Sequence, residues 1–116
     1  MTELNHIVLS ESYVLGISIK PYCLEFSMDF VLEPEHPLYF LPPPNETECF
    51  RRGLIRVLDF ERVTWRASNL KPSTDATGEE DYGCLDELVI EQTFMIFRGD
   101  WGEIEVAGGH MFVVLV

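Results

Sequence analysis

Six carboxylates lie between Asp75 and Glu87 with no base among them: Asp75, Glu79, Glu80, Asp81, Asp86 and Glu87. A segment of that charge attracts a basic protein and speeds its encounter at low salt, and it also serves as a solvated stretch that keeps a chain soluble. Packed oxygens in Asp75-Ala76-Thr77-Gly78-Glu79-Glu80-Asp81 would suit calcium, yet the acidic positions do not alternate ahead of a central glycine as in an EF-hand loop. Acid/base catalysis by two of them would need one carboxyl withdrawn from water, which a polar loop does not provide. From Arg51 to Arg66 the balance reverses, with five arginines against Asp59 and Glu61. Charge is therefore segregated along the chain.

Other chemistry finds less support. Cys23, Cys49 and Cys84 have neither C-x-x-C nor clustered Cys/His spacing, so no metal site and no disulfide framework is expected, and three reduced thiols are. His6, His36 and His110 stand apart, without the neighbours that would activate a cysteine or serine nucleophile. Gly99, Gly102, Gly108 and Gly109 fall between strand-like runs rather than ahead of a helix, which fits turns and not a phosphate cradle. Arg98-Gly99-Asp100 and Asn45-Glu46-Thr47 match short adhesion and glycosylation motifs by letter, but a hairpin accounts for the first and no secretory leader accompanies the second. No cofactor is called for, and a non-enzymatic protein is the expectation.

The whole composition narrows the field further. Twenty Asp and Glu against eight Lys and Arg give a net charge of −12 over 116 residues. Such a field repels phosphate backbones, so nucleic acid is not an expected partner. With 47% apolar and 12% aromatic residues, one domain over residues 1–116 has enough material for a core. No apolar run reaches the length needed to span a bilayer, so no membrane partner is expected. Together with the unpaired cysteines, this suggests a soluble, cytoplasmic protein.

The elements that must position these residues are strands. From Tyr22 to Leu32, apolar Tyr22, Leu24, Phe26, Met28, Phe30 and Leu32 alternate with a mostly polar set, the period of a pleated strand. Tyr13 to Ile19 alternates likewise, and Lys20-Pro21 marks the turn between them. Residues 33–50 hold five of the seven prolines and predict a long loop, with Leu38, Tyr39, Phe40, Leu41 and Phe50 suggesting a packed cover. Gly53–Phe60 and Val63–Arg66 read as two short strands broken at Glu61-Arg62. The run from Leu88 to Phe97 places Leu88, Ile90, Phe94 and Ile96 on one face. Gly99-Asp100-Trp101-Gly102 and Gly108-Gly109 read as turns around Ile104–Val106, with a last strand over His110–Val116. Met111–Val116 is apolar on both faces and must be internal or paired with a second copy. A short helix is allowed near Glu3–Leu9 or Leu85–Leu88. The expected fold is all-β, an antiparallel meander of about seven strands closing as a barrel or sandwich.

The order of features is a hairpin, a proline-rich loop, an aromatic strand, Gly-Glu-Glu-Asp-Tyr-Gly before a long strand, and Gly-Asp-Trp-Gly before a final hairpin. From Tyr13 to Val116 it resembles small bacterial all-β domains, some uncharacterised and some assigned as immunity proteins of toxin systems. That resemblance implies a cytosolic protein that neutralises a toxin by occlusion, with no catalytic residue to carry over. Two functions follow from the sequence. In one, Asp75, Glu79, Glu80, Asp81, Asp86 and Glu87 dock a basic protein. In the other, the domain is a small-ligand barrel whose apolar mouth is lined by Tyr39, Phe40, Trp65 and Trp101.

Overall fold

The computed structural model describes residues 4–76 and 78–116. Among these residues the chain is all-β, with a 3-10 turn at Leu9–Glu11 and eight strands. The strands are β1 (Tyr13–Lys20), β2 (Cys23–Leu32), β3 (Cys49–Ala67), β4 (Ser73–Thr74), β5 (Glu80–Asp81), β6 (Leu85–Ile90), β7 (Phe94–Gly99) and β8 (Gly102–Leu115). Six of them form one antiparallel sheet in the order β1-β2-β3-β8-β7-β6, and β4 and β5 form a separate two-stranded ribbon. The acidic residues from Asp75 to Asp81 ride on that ribbon and its turn, and Asp86 and Glu87 lie on the edge strand β6.

Two breaks read from the sequence become one feature. β3 runs unbroken through Glu61-Arg62, and β8 runs unbroken through Gly108-Gly109. The register pairs Phe60 with Gly108 and shifts between Phe60 and Arg62, so the two irregularities face each other across one ladder. Asp59 sits at φ 60°, and Gly108 and Gly109 at φ 74° and 90°. Aspartate and glycine are the residues that tolerate this region, and a Cβ on Gly109 would stand 3.0 Å from the Leu58 carbonyl oxygen. The bulge bends the long β3–β8 ribbon at its middle. Cys49–Leu58 and His110–Leu115 then belong to a layer with β1 and β2, whereas Phe60–Ala67 and Gly102–Ala107 belong to a layer with β6 and β7.

Ring packing shows how far the sheet is folded. β2 and β7 are separated by β3 and β8, about 14 Å in a flat sheet. Yet the rings of Phe26 on β2 and Phe97 on β7 stack with centroids 4.7 Å apart, and Trp101 lies 5.5 Å from Phe26. Leu24, Met28, Phe30, Ile55, Val57, Ile104 and Val106 complete a fully buried core between the layers. At one end the outer strands nearly meet. Val14 N donates to Gly83 O at 2.8 Å, Tyr82 N to Val14 O at 2.8 Å and Leu85 N to Ser12 O at 3.2 Å. No ladder joins β1 to β6 among the described residues, so the strands do not close into a barrel.

Other expectations are adjusted by the same packing. The predicted β1–β2 hairpin turns at Pro21-Tyr22, with Lys20 paired to Cys23. The run Leu88–Phe97 is two strands, and on β7 the buried residues are Met95 and Phe97, not Phe94 and Ile96. Leu85–Leu88 is strand rather than helix. In the N-terminal region the 3-10 turn stands where a helix was expected nearby, and Glu3 and Thr77 lie outside the described residues. In the proline-rich loop only Tyr39 packs on the core; Leu38, Phe40 and Leu41 are exposed. The loop is therefore a partial cover, anchored by one ring.

Among the described residues Ser12 is the buried polar one, and it carries a specific task. Its hydroxyl donates to Val8 O at 2.7 Å and accepts from Val31 N at 2.9 Å. That bond satisfies an amide of β2 where β1 has already diverged. Ser12→Ala should lower unfolding free energy by about 1–3 kcal/mol, the cost of a buried donor without an acceptor. Phe26→Ala should cost about 3–5 kcal/mol through the cavity left against Phe97 and Trp101. Urea denaturation of the two variants checks both values, and an unchanged midpoint for Ser12→Ala would mean that the Val31 amide is satisfied without the hydroxyl.

Candidate functional site

The outward face of the β1–β3 layer follows from alternation. With Leu24, Phe26, Met28 and Phe30 turned inward, Glu25, Ser27 and Asp29 of β2 point away from the core, as do Arg52 and Arg56 of β3. The register sets Asp29 beside Arg52 and Glu25 beside Arg56. The ion pairs follow: Arg52 Nε lies 3.5 Å from Asp29 Oδ1, and Arg56 Nε donates to Glu25 Oε2 at 3.0 Å.

The β4–β5 ribbon leans over this face. Its turn is built by Asp75, whose Oδ1 accepts from Glu79 N at 2.9 Å while its backbone N donates to Glu79 O at 2.9 Å. Asp81 Oδ1 accepts from Gly83 N at 2.8 Å and fixes the exit toward β6. The Glu79 carboxylate reaches across to Arg52 Nη2, tying the ribbon to β3. The result is a cleft of about 230 Å³ lined by Tyr13, Leu15, Asp29, Glu46, Phe50, Asp75, Glu79 and Asp81. The rings of Tyr13 and Phe50 stack at 6.0 Å in its wall. Five carboxylates thus surround an aromatic pair, and Arg52 is the base bonded into them.

The electrostatics of this region are those of crowded negative charge. Burial pushes the Asp29 carboxyl above the usual range, Arg52 pulls it back, and Glu79 and Glu46 push it further up. The Tyr13 phenol is raised, first by Cys84, then by burial, Asp81, Glu48 and Asp29. Burial raises the Cys84 thiol, and Asp86, Asp81, Asp100 and Glu11 add to it. A thiol shifted that way is held from the thiolate form that a nucleophile requires. Cys23, Cys49 and Cys84 are all free. Among the described residues no three His, Cys, Asp or Glu side chains form a metal-ligating group. The arrangement is suited to receiving a cationic side chain, which aromatic faces and carboxylates both attract.

The six acids singled out in the sequence therefore separate. Asp75, Glu79 and Asp81 enter the cleft, Glu80 is exposed beside it on β5, and Glu87 is bonded to Arg98 on the far side of the fold. Asp86 is exposed on β6, near enough to Cys84 to raise its thiol. Asp29, Glu46, Tyr13 and Phe50 join the site without having been singled out. Asp29 had a signal, its place on the polar face of the alternating strand; Glu46, in the proline-rich loop, had none.

The four aromatic residues of the ligand-site expectation are likewise divided. Trp65 and Trp101 line a cleft of about 330 Å³ with Leu15, Gly16, Ile17, Leu70 and Tyr82. Trp65 Nε1 donates to Trp101 O at 3.0 Å, and the Trp101 indole N–H, fully buried, has no hydrogen-bond partner among the described residues. Tyr39 and Phe40 do not belong to this cleft. The Phe40 backbone N instead donates to Cys49 Sγ at the opposite end of β3. The reason is the bend, which carries the two ends of β3 into different layers.

No family model, curated protein or solved structure matches the chain. Among the described residues no helix is long and apolar enough to cross a membrane.

Asp29 offers a direct test of the site's electrostatics. A carboxyl raised by folding binds its proton more tightly in the native state, so its contribution is unfavourable at neutral pH and is relieved as pH falls through the raised value. Asp29→Asn removes that contribution at the expense of the Arg52 pair. The stability of the variant relative to the native chain should be greatest near pH 7 and decline as pH is lowered toward the ordinary carboxylate range. Thermal melts of both proteins across that interval measure the difference; a relative stability that instead grows on acidification would mean that the Arg52 pair outweighs burial.

Proposed function

We propose that this is a non-enzymatic binding domain that engages a basic protein through its acidic cleft. The observation that carries the proposal is the convergence of Asp29, Glu46, Asp75, Glu79 and Asp81, from three separate parts of the chain, around the Tyr13–Phe50 pair. An arginine or lysine entering there meets ring faces and carboxylates together. The net charge of −12 supplies the long-range attraction for such a partner. An immunity-type inhibitor of a basic toxin, acting in the cytoplasm by occlusion, is the form of this function that fits the small acidic domain and its resemblance. Within this reading the carboxylates serve recognition, and the folded sheet serves as a rigid, sandwich-like support for them.

A second reading rests on a different observation. The cleft of Leu15, Ile17, Trp65, Leu70, Tyr82 and Trp101 presents mainly apolar and aromatic walls, features of a small-molecule site. Titration with a short arginine-rich peptide and, separately, with an apolar fluorescent dye distinguishes the two.

The variant Glu46→Gln/Asp75→Asn keeps the acceptor oxygen of the turn and removes two of the five charges. It should bind the arginine-rich peptide about tenfold more weakly at low salt. The difference should narrow as salt shortens the screening length. Equal affinity of the two proteins at low salt would remove the cleft from the proposal, and a response to the dye alone would favour the Trp65 site.

A further inference from the structure

Apart from the half of β3 beyond Leu58, which carries Asp59, Glu61, Arg62 and Arg66, three strand edges of the main sheet face outward, and two of them are protected. On β1, the edge is occupied at its start by Gly83 and Tyr82, which bond to Val14, and it is interrupted by a bulge between Val14 and Gly16 before ending in Lys20. On β6, Asp86 and Glu87 stand along the edge, and Glu91 follows it. Charges and bulges of this kind keep an edge from pairing with another chain.

The third edge has no such device. β7 accompanies β8 from Gly102 to Ala107 and the ladder ends at Phe94 paired with Ala107. Beyond that point β8 has β3 on one side and no strand on the other among the described residues. Val116 N donates to Arg52 O, and the Val114 carbonyl lies against Gly53, so alternate residues 112, 114 and 116 direct their amides and carbonyls at β3. Alternation then turns the N–H and C=O groups of Met111, Val113 and Leu115 outward. Residues Met111–Leu115 include no proline and no bulge. Phe112, Val114 and Val116 are exposed on the outer face. Val106–Val116 is also the longest run of the sequence without Asp, Glu, Lys or Arg.

We propose that this edge is a self-association site, where a second copy of the chain adds its own β8 antiparallel about a two-fold axis at Val113. The register follows from the outward groups. Val113 pairs with Val113 of the second copy and Met111 with Leu115 of the second copy, which uses all three outward donors and all three outward acceptors of each chain. Phe112 of one copy then opposes Val114 of the other on the outer face, within the ~4.5–5.5 Å reach of a cross-strand pair. The seam selects the occupant. Phe112 and Val114 place no charge in it, so a second identical edge meets it without burying one, and the repulsion between two copies at −12 makes the association strengthen as salt is added. The two-fold arrangement consumes both edges, so assembly ends at two copies instead of growing. This site is separate from the acidic cleft and stands or falls independently of the proposed function.

The test is the molar mass of the full chain by light scattering or sedimentation over a wide concentration range. The native chain should be a dimer, and Val113→Pro should halve its mass. The proline deletes an outward-facing donor while leaving the bonds to β3 in place. Phe112→Lys/Val114→Lys changes two exposed side chains and sets lysines opposite each other across the proposed axis. It should also be monomeric, with an unchanged circular dichroism spectrum, and it serves as the deciding variant if the proline variant does not fold. A native chain that stays monomeric at every concentration overturns the proposal. So does a folded double-lysine variant that remains dimeric, or a native chain that grows beyond two copies.

Discussion

The stacking of Phe26 on Phe97 depends on a bend that no single strand could make alone. Two long strands, β3 and β8, remain paired along nearly their whole length, and both become irregular at the same register. If the irregularities were out of phase, one strand would resist the turn of the other and the ladder would break. Because they coincide, a single six-stranded sheet becomes two layers with one core between them. Trp101 is buried at the tight β7–β8 turn for the same reason: the fold brings that turn under β2. A Cβ on Gly99 would stand 2.6 Å from the Trp101 Nε1, so the neighbouring glycine is what lets the indole lie there.

The arginines make sense only on this framework. Arg52, Arg56, Arg66 and Arg98 each hold carboxylates of neighbouring strands or of the ribbon, and Arg51 Nε donates to the Val116 carbonyl at 2.6 Å. Arg98 with Glu87 and Glu103 forms the densest group, and the hydrogen bond from Arg98 holds the Glu103 carboxyl below its usual range. Exposed pairs of this kind contribute little stability individually. Their larger effect is on where the unbalanced charge remains. With the bases of the sheet face committed to nearby acids, the surplus is concentrated at the ribbon and the proline-rich loop, which together border the cleft.

Binding and self-association draw on opposite properties of the same fold. The cleft lies under a small ribbon on the outer face of one layer, rich in carboxylates and tied down by a single arginine. The β8 edge is uncharged and presents backbone groups. The bend creates both: it ends the accompaniment of β8 by β7, and it exposes the outer face of the first layer for the ribbon to cover.

The sequence by itself determined the all-β class, the β1–β2 hairpin and the positions of the two irregularities, because alternation, proline and glycine act on the chain within a few residues. It also marked Asp75, Glu79 and Asp81 as a concentration of charge. Only the tertiary structure decided that Glu61-Arg62 and Gly108-Gly109 are two sides of one bend and not two turns. It alone brought Asp29 and Glu46 to the acidic ribbon, sent Glu87 away to Arg98, and separated Tyr39 and Phe40 from Trp65 and Trp101. These are matters of register between segments up to about sixty residues apart. Local periodicity states which face a side chain takes, but the partner across the ladder is set by which apolar surfaces can be buried together.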